Sequence, residues 1–206
     1  VSVIQNYAAA MKKKNLSEQE REEYSNTIIN ASQRLSELIT NILKLNKLDN
    51  QEIVPIAEPY DVSAQLAACA VQFVDIFEKK GIAFEADFED EAIIYADESM
   101  MEIVWNNLLS NAAKFTEPGG TIALRQVSDA EGVTVSVADT GCGMTQEVAK
   151  RVFDKFYQGD TSHASQGNGL GLALALRVIQ RVNGTISVES KVGKGTTFTV
   201  KIPRKQ

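Results

Sequence analysis

Asn107-Leu-Leu-Ser-Asn111-Ala-Ala-Lys114 is the stretch on which the reading of this chain turns. Asn107, Asn111 and Lys114 are spaced so that on a helix they share one face. Met101, Val104, Leu108, Ala112 and Phe115 form the adjoining apolar face. A helix that sets two amides and an ammonium beside its buried stripe belongs at the rim of a core, lining a cleft. Further motifs follow in fixed order: Asp139-Thr-Gly141-Cys-Gly143, Gly167-Asn-Gly169-Leu170-Gly171 and Gly193-Lys-Gly195-Thr-Thr197. Taken alone, each has a plainer reading as a solvated helix face, a tight turn or a loop. Taken together, they offer amide oxygens for a cation, a carboxylate for a base and glycine-bared amides for phosphates.

Asp139 ends the alternating run Val133–Ala138, which reads as a strand. A carboxylate there accepts a hydrogen bond from the exocyclic amino group of adenine, while glycines let backbone approach the ring. Guanine carries an oxygen at that place and would be repelled. The Gly167–Gly171 motif opens a helical run over 170–182 that Asn183-Gly184 stops. Glycines ahead of a helix N-terminus expose amides to an anion, and the helix dipole adds to the attraction. The motif lacks the strand-then-helix order of a dinucleotide fold. Magnesium takes oxygen ligands and keeps several waters, so one amide oxygen plus phosphate oxygens suffices. The set is equipment for ATP with Mg2+.

The segment between Gly141 and Gly167 is rich in Gly, Ser, Thr, Asp and Gln and too long for a passive connection. A short helical stretch is expected at Val152-Phe-Asp-Lys-Phe156, either as a satellite apolar cluster or as part of a lid over bound nucleotide. His163, the only histidine, falls in this segment with no carboxylate or ligand pattern around it, and is expected to be solvated and non-catalytic. Cys142 has no basic neighbour in sequence and reads as a small loop residue rather than a nucleophile.

Residues 1–50 contain neither proline nor glycine. Val1, Ile4, Ala8 and Met11 mark a first helix, and Ser17-Glu-Gln-Glu20 reads as a capping box opening a second. Tyr24, Ile28, Ala31, Leu35, Leu38, Ile42 and Leu45 then form a heptad seam. An antiparallel hairpin cannot hide that seam alone; a homodimer forming a four-helix bundle would. Two prolines in residues 51–59 predict a linker, and residues 60–206 a second domain. Here a helix is expected over 63–80, strands near 82–88, 92–96, 121–127, 133–138, 185–190 and 197–202, and helices over 98–115 and 170–182. That order predicts an α+β fold: a mixed, largely antiparallel sheet with helices on one face.

The net charge of −6 argues against attraction to nucleic acid or an anionic membrane. Two cysteines are too few for a disulfide scaffold or a structural zinc site and suit a reducing, cytoplasmic setting. No apolar run reaches the roughly 20 residues of a membrane-spanning helix.

In this order the motifs resemble the N, G1, F, G2 and G3 boxes of bacterial sensor histidine kinases, within the GHKL superfamily. The resemblance implies a Bergerat-type α/β sandwich for the second domain and a dimerisation and phosphotransfer hairpin for residues 1–50. It implies that Asn111 ligates Mg2+, that Asn107 and Lys114 approach the phosphates, and that Asp139 holds adenine. Gly141 and Gly143 would shape the adenine pocket, Thr197 would support the base, and Phe156, Gly167, Gly169, Leu170 and Gly171 would bound the lid and phosphate end. The implied activity is transfer of the γ-phosphate to a histidine and thence to the aspartate of a response-regulator receiver domain. Val1-Ser-Val-Ile-Gln-Asn-Tyr7 resembles the stretch that follows the H box, so the acceptor histidine is expected ahead of residue 1, where a membrane anchor is equally compatible. In the ATPase branches a glutamate four residues before the metal asparagine activates water. Here that place is Asn107, which has no basic site at neutral pH. A GHKL ATPase and a non-catalytic dimerising scaffold with a vestigial pocket are the alternatives.

Overall fold

The capping box forms in the computed structural model, which describes residues 2–13, 15–50, 56–159 and 167–204. Glu20 Oε2 accepts the Ser17 N–H at 2.8 Å, and Ser17 Oγ accepts the Glu20 N–H at 3.2 Å. These bonds open the long helix α2 (Glu18–Asp49), which follows α1 (Ser2–Ala10). Tyr24, Ile28, Ala31, Leu35, Leu38 and Ile42 are half-buried, so the seam is a real face of α2. The Tyr7 and Tyr24 rings meet edge to face at 5.2 Å and tie the two helices together.

The chain divides into two compact units, Val1–Asn46 and Lys47–Gln206. The division falls inside α2, so its last turn belongs to the second unit. There the Asp49 carboxylate receives Lys155 at 2.6 Å and Arg177 at 3.1 Å, and Arg181 donates to the Leu48 carbonyl. Of the expected linker, residues 51–55 lie outside the described residues, while Glu58 and Pro59 already belong to a strand.

That strand, β1 (Glu58–Asp61), pairs antiparallel with β3 (Ile93–Ala96) as a separate two-stranded sheet. The helix expected over 63–80 is two helices, α3 (Val62–Val71) and α4 (Val74–Lys80). No proline or glycine marks the break. The N–H groups of Gln72 and Phe73 turn back to the Cys69 and Ala70 carbonyls, and the Phe73 ring reaches Phe77, which in turn stacks on Phe84 at 5.1 Å.

The main sheet has the order β2-β4-β5-β7-β6, built from β2 (Ala83–Asp87), β4 (Thr121–Ser128), β5 (Gly132–Asp139), β7 (Gly195–Pro203) and β6 (Thr185–Lys191). All neighbours are antiparallel except β2 and β4, which run parallel. The α+β expectation holds. Val133, Val135 and Val137 of β5 and Phe198, Val200 and Ile202 of β7 are buried on one face, while the residues between them are more exposed. Helix α5 (Glu98–Phe115) and helix α7 (Gly171–Arg181) supply Val104, Leu108, Leu174 and Ile179 to the same core. Each fully buried large side chain there contributes about 1.5–3 kcal/mol.

The short helix expected at 152–156 lies earlier, as α6 (Gln146–Arg151). Thr145 caps it, its hydroxyl oxygen accepting the Val148 N–H, and residues 152–156 are turns. Phe153 meets Phe198 edge to face at 6.2 Å, while Phe156 is exposed. His163 lies outside the described residues. Among those residues, no helix is long and apolar enough to cross a membrane.

Candidate functional site

Asp97 starts the helix that carries the amide face. Its Oδ1 accepts the Met100 N–H at 3.1 Å and the Ser99 hydroxyl at 2.7 Å, and its Oδ2 accepts the Ile56 N–H at 3.0 Å. From that cap, α5 buries Met101, Val104, Trp105, Leu108 and Ala112. It leaves Asn107, Asn111 and Lys114 half-buried along one side. The spacing read from the sequence therefore places them at the edge of the core.

The glycine-rich loop lies against that side. A β-carbon on Gly171 would stand 2.1 Å from Asn107 Oδ1, and one on Gly167 would stand 3.3 Å from Lys114 Nζ. The first distance means that a side chain at 171 would have to displace the Asn107 amide. Asn107 Nδ2 donates to the Ile103 carbonyl at 2.7 Å, which turns its oxygen toward the first residue of α7. Leu170, fully buried, precedes α7 with its N–H on Asn168 Oδ1 at 3.1 Å. Among the described residues no side chain caps the start of α7, and the first amides of a helix with the positive end of its dipole suit an anion. The Phe156 N–H donates to the Gly169 carbonyl at 2.9 Å, which fastens the start of the expected lid to this loop.

Asp139 stands at the other end of the site, at the end of β5. Gly141 N–H donates to its Oδ1 at 2.8 Å and the Thr196 N–H gives a second bond. Burial pushes the carboxyl above the ordinary aspartate range, and these two amides offset that only in part. Gly141 packs against the end of α5, where a β-carbon would stand 2.3 Å from the Phe115 carbonyl oxygen. Gly143 abuts the Lys191 carbonyl, and Gly195 abuts the Asp139 carbonyl, where a β-carbon would come within 1.8 Å. The Gly193 N–H closes the connection on the Cys142 carbonyl at 2.7 Å. The four motifs thus meet as one assembly. Asn111 lies on its rim one turn beyond Asn107.

Strand register distinguishes the two threonines after Gly195. Asp139 pairs in register with Thr196, and Ala138 with Thr197. Side chains alternate along a strand, so Thr196 shares the helix-covered face with Asp139 and Thr197 points to the other. Thr196 is nearly buried, and its hydroxyl lies 2.9 Å from Ser190 Oγ. Ser190 Oγ also accepts the Met144 N–H at 2.8 Å. Neither Thr196 nor Ser190 stands out in the sequence, because both owe their places to strand register.

Chemically, the arrangement offers a half-buried acceptor at one end and the amides opening α7, an ammonium and amide oxygens at the other. Among the described residues, no group of three or more His, Cys, Asp or Glu is placed to hold a metal ion.

Comparison with known proteins agrees with this geometry. The circadian input-output histidine kinase CikA of Synechococcus elongatus is 34% identical over 91% of this chain and 26% of its own length. The sensor protein SrrB of Staphylococcus aureus is 29% identical over 86% of this chain and 31% of its own length. The chain therefore spans about a quarter to a third of these curated relatives. Full-length ShkA, solved in complex with AMPPNP, superposes with a TM-score of 0.77 at 26% identity, covering 98% of this chain and 41% of that one. Residues 96–206, more than half of the chain, match the family model described as histidine kinase-, DNA gyrase B- and HSP90-like ATPase, and the chain belongs to that family.

Proposed function

We propose that this chain is the ATP-binding catalytic core of a two-component sensor histidine kinase. The observation that carries the reading is the meeting of α5 with the opening of α7, at Asn107–Gly171 and Lys114–Gly167, in the same assembly as the half-buried Asp139. Asp139 accepts the adenine amino group. Gly141 and Gly143 keep that pocket open to the ring, with Thr196 rather than Thr197 beside the base. The amides opening α7, with Gly167, Gly169, Leu170 and Gly171 around them, hold the phosphates together with Lys114. Phe156 marks the base of the lid.

Asn111 fits Mg2+ as one amide oxygen on the phosphate side of the site, and the ion would supply charge neutralisation of the triphosphate. Catalysis is then chiefly positioning and charge. An imidazole nitrogen forms a bond to the γ-phosphorus as the bond to the bridging oxygen breaks, and ADP leaves. Asn107 separates this reading from ATP hydrolysis, because its nitrogen is committed to the Ile103 carbonyl and its oxygen is not a base.

The α2 seam supports a homodimer through residues 1–50. Ile29, Ile39 and Leu43 flank it in exposed positions, 52%, 49% and 54% accessible. Sedimentation showing only monomer at high concentration would contradict that part. A response-regulator receiver domain is the partner that would take the phosphoryl group onward; the related fold of ThkA has been solved in complex with the response regulator TrrA. Two cysteines, Cys69 and Cys142, are too few for a disulfide scaffold and suit a cytoplasmic site of action.

The test is to supply a histidine-bearing hairpin in trans with γ-labelled ATP and Mg2+. Acid-labile label on the hairpin is expected, abolished by Asn111→Ala, whose nucleotide affinity falls mainly when magnesium is present. Phosphate release without label, stopped by Asn107→Ala, would instead make the chain an ATPase.

A further inference from the structure

Lys80 ends α4, outside every nucleotide-binding motif, yet its ammonium reaches into the last turn of α5. Lys80 Nζ donates to the Ala113 carbonyl at 2.8 Å, the Thr116 carbonyl at 2.7 Å and the Lys114 carbonyl at 3.3 Å. The final carbonyls of a helix have no partner within it, and a cation there also meets the negative end of the dipole. The Ala112 carbonyl is taken by the Thr116 N–H and hydroxyl at 3.0 and 2.7 Å. The Phe115 carbonyl faces Gly141. Lys80 therefore satisfies the carbonyls that the turn itself leaves over. The Gly119 N–H in turn donates to the Lys80 carbonyl at 3.1 Å, which fastens the same lysine to the turn after α5.

What this turn carries makes the contact functional. Lys114 stands in it with Nζ beside Gly167 of the phosphate loop. Its own carbonyl and that of Ala113 before it are among those that Lys80 holds. We propose that Lys80 is a positioning residue for nucleotide, acting through Lys114 to aim an ammonium at the phosphates. The proposal rests on the nucleotide-binding reading given above.

Lys80→Met keeps the aliphatic stem and removes the donors. Calorimetry with ATP and with adenosine should show ATP binding weakened about tenfold and adenosine within about twofold of wild type. Lys80→Arg, which restores a cation with several donors, should recover ATP affinity. In a Lys114→Met background, Lys80→Met should cost no further ATP affinity, because the group it aims is gone. Equal losses for ATP and adenosine, or full additivity with Lys114→Met, would assign Lys80 to folding alone and overturn the proposal. Should Lys80→Met fail to fold by circular dichroism, Lys80→Gln, with an amide donor, takes its place in the same cycle under the same criteria. Wild-type protein that binds no ATP contradicts the nucleotide reading itself, whereas wild-type binding with unchanged Lys80→Met affinity contradicts only the positioning role.

Discussion

Burial raises the Asp139 carboxyl above the ordinary aspartate range, and the N–H groups of Gly141 and Thr196 pull it back only in part. A raised carboxyl favours folding below its unfolded pKa, and that contribution is lost as pH rises through the folded pKa. At neutral pH Asp139 is therefore a burden on the empty fold, one that the proposed role in adenine recognition would account for. Asp139→Asn removes the buried charge but places a donor where adenine also donates. Its melting temperature should equal or exceed that of wild type, while ATP affinity falls by about 1.4–2.7 kcal/mol, roughly ten- to a hundredfold. Unchanged affinity would remove Asp139 from the site. Because the carboxyl is raised, wild-type ATP affinity should begin to fall, as pH is lowered, above the range of an ordinary aspartate. Titration of the dissociation constant against pH checks this, with Asp139→Asn as the control that lacks the transition.

Among the elements, α5 does the most to build the site, and its N-cap can be tested directly. Burial works upward on the Asp97 carboxyl, but the bonds from Ser99, Ile56 and Met100 outweigh it and hold the group below the usual range. Stability from a depressed carboxyl is present above its unfolded pKa and is lost as pH falls through the folded pKa. Asp97→Ala should cost about 0.5–2 kcal/mol of unfolding free energy at neutral pH. Thermal melts down to about pH 3 should show that deficit shrinking. The amide face was legible in the sequence because its spacing is local, as was the Ser17 capping box. What escaped was set at a distance. β1 contains Pro59 and no alternation, and exists because β3 offers it a partner. The break between α3 and α4 has no helix breaker and follows aromatic packing on Phe84. Thr196 and Thr197 are indistinguishable until the register of β5 and β7 is known.

For the whole molecule, the order of motifs in the chain and their meeting in space are separate facts. The sequence supplies the order, and the sheet supplies the meeting. β5 and β7 lie side by side, bringing Asp139 to Gly195 and Thr196, while α5 runs from the Asp97 cap to Phe115 against Gly141. The ion pairs of Asp49 with Lys155 and Arg177 are largely solvent-facing and add under about 1 kcal/mol each. The fold that gathers the motifs is held by its apolar core. On the proposed reading, the gathered site selects a base with an amino group at the position facing Asp139. The direct measurement is calorimetric titration of the chain with ATP and with GTP in the presence of Mg2+. Saturable binding of one ATP per chain, with GTP weaker by about tenfold or more, is the predicted result. Absence of saturable ATP binding, or equal affinity for the two nucleotides, would contradict the account.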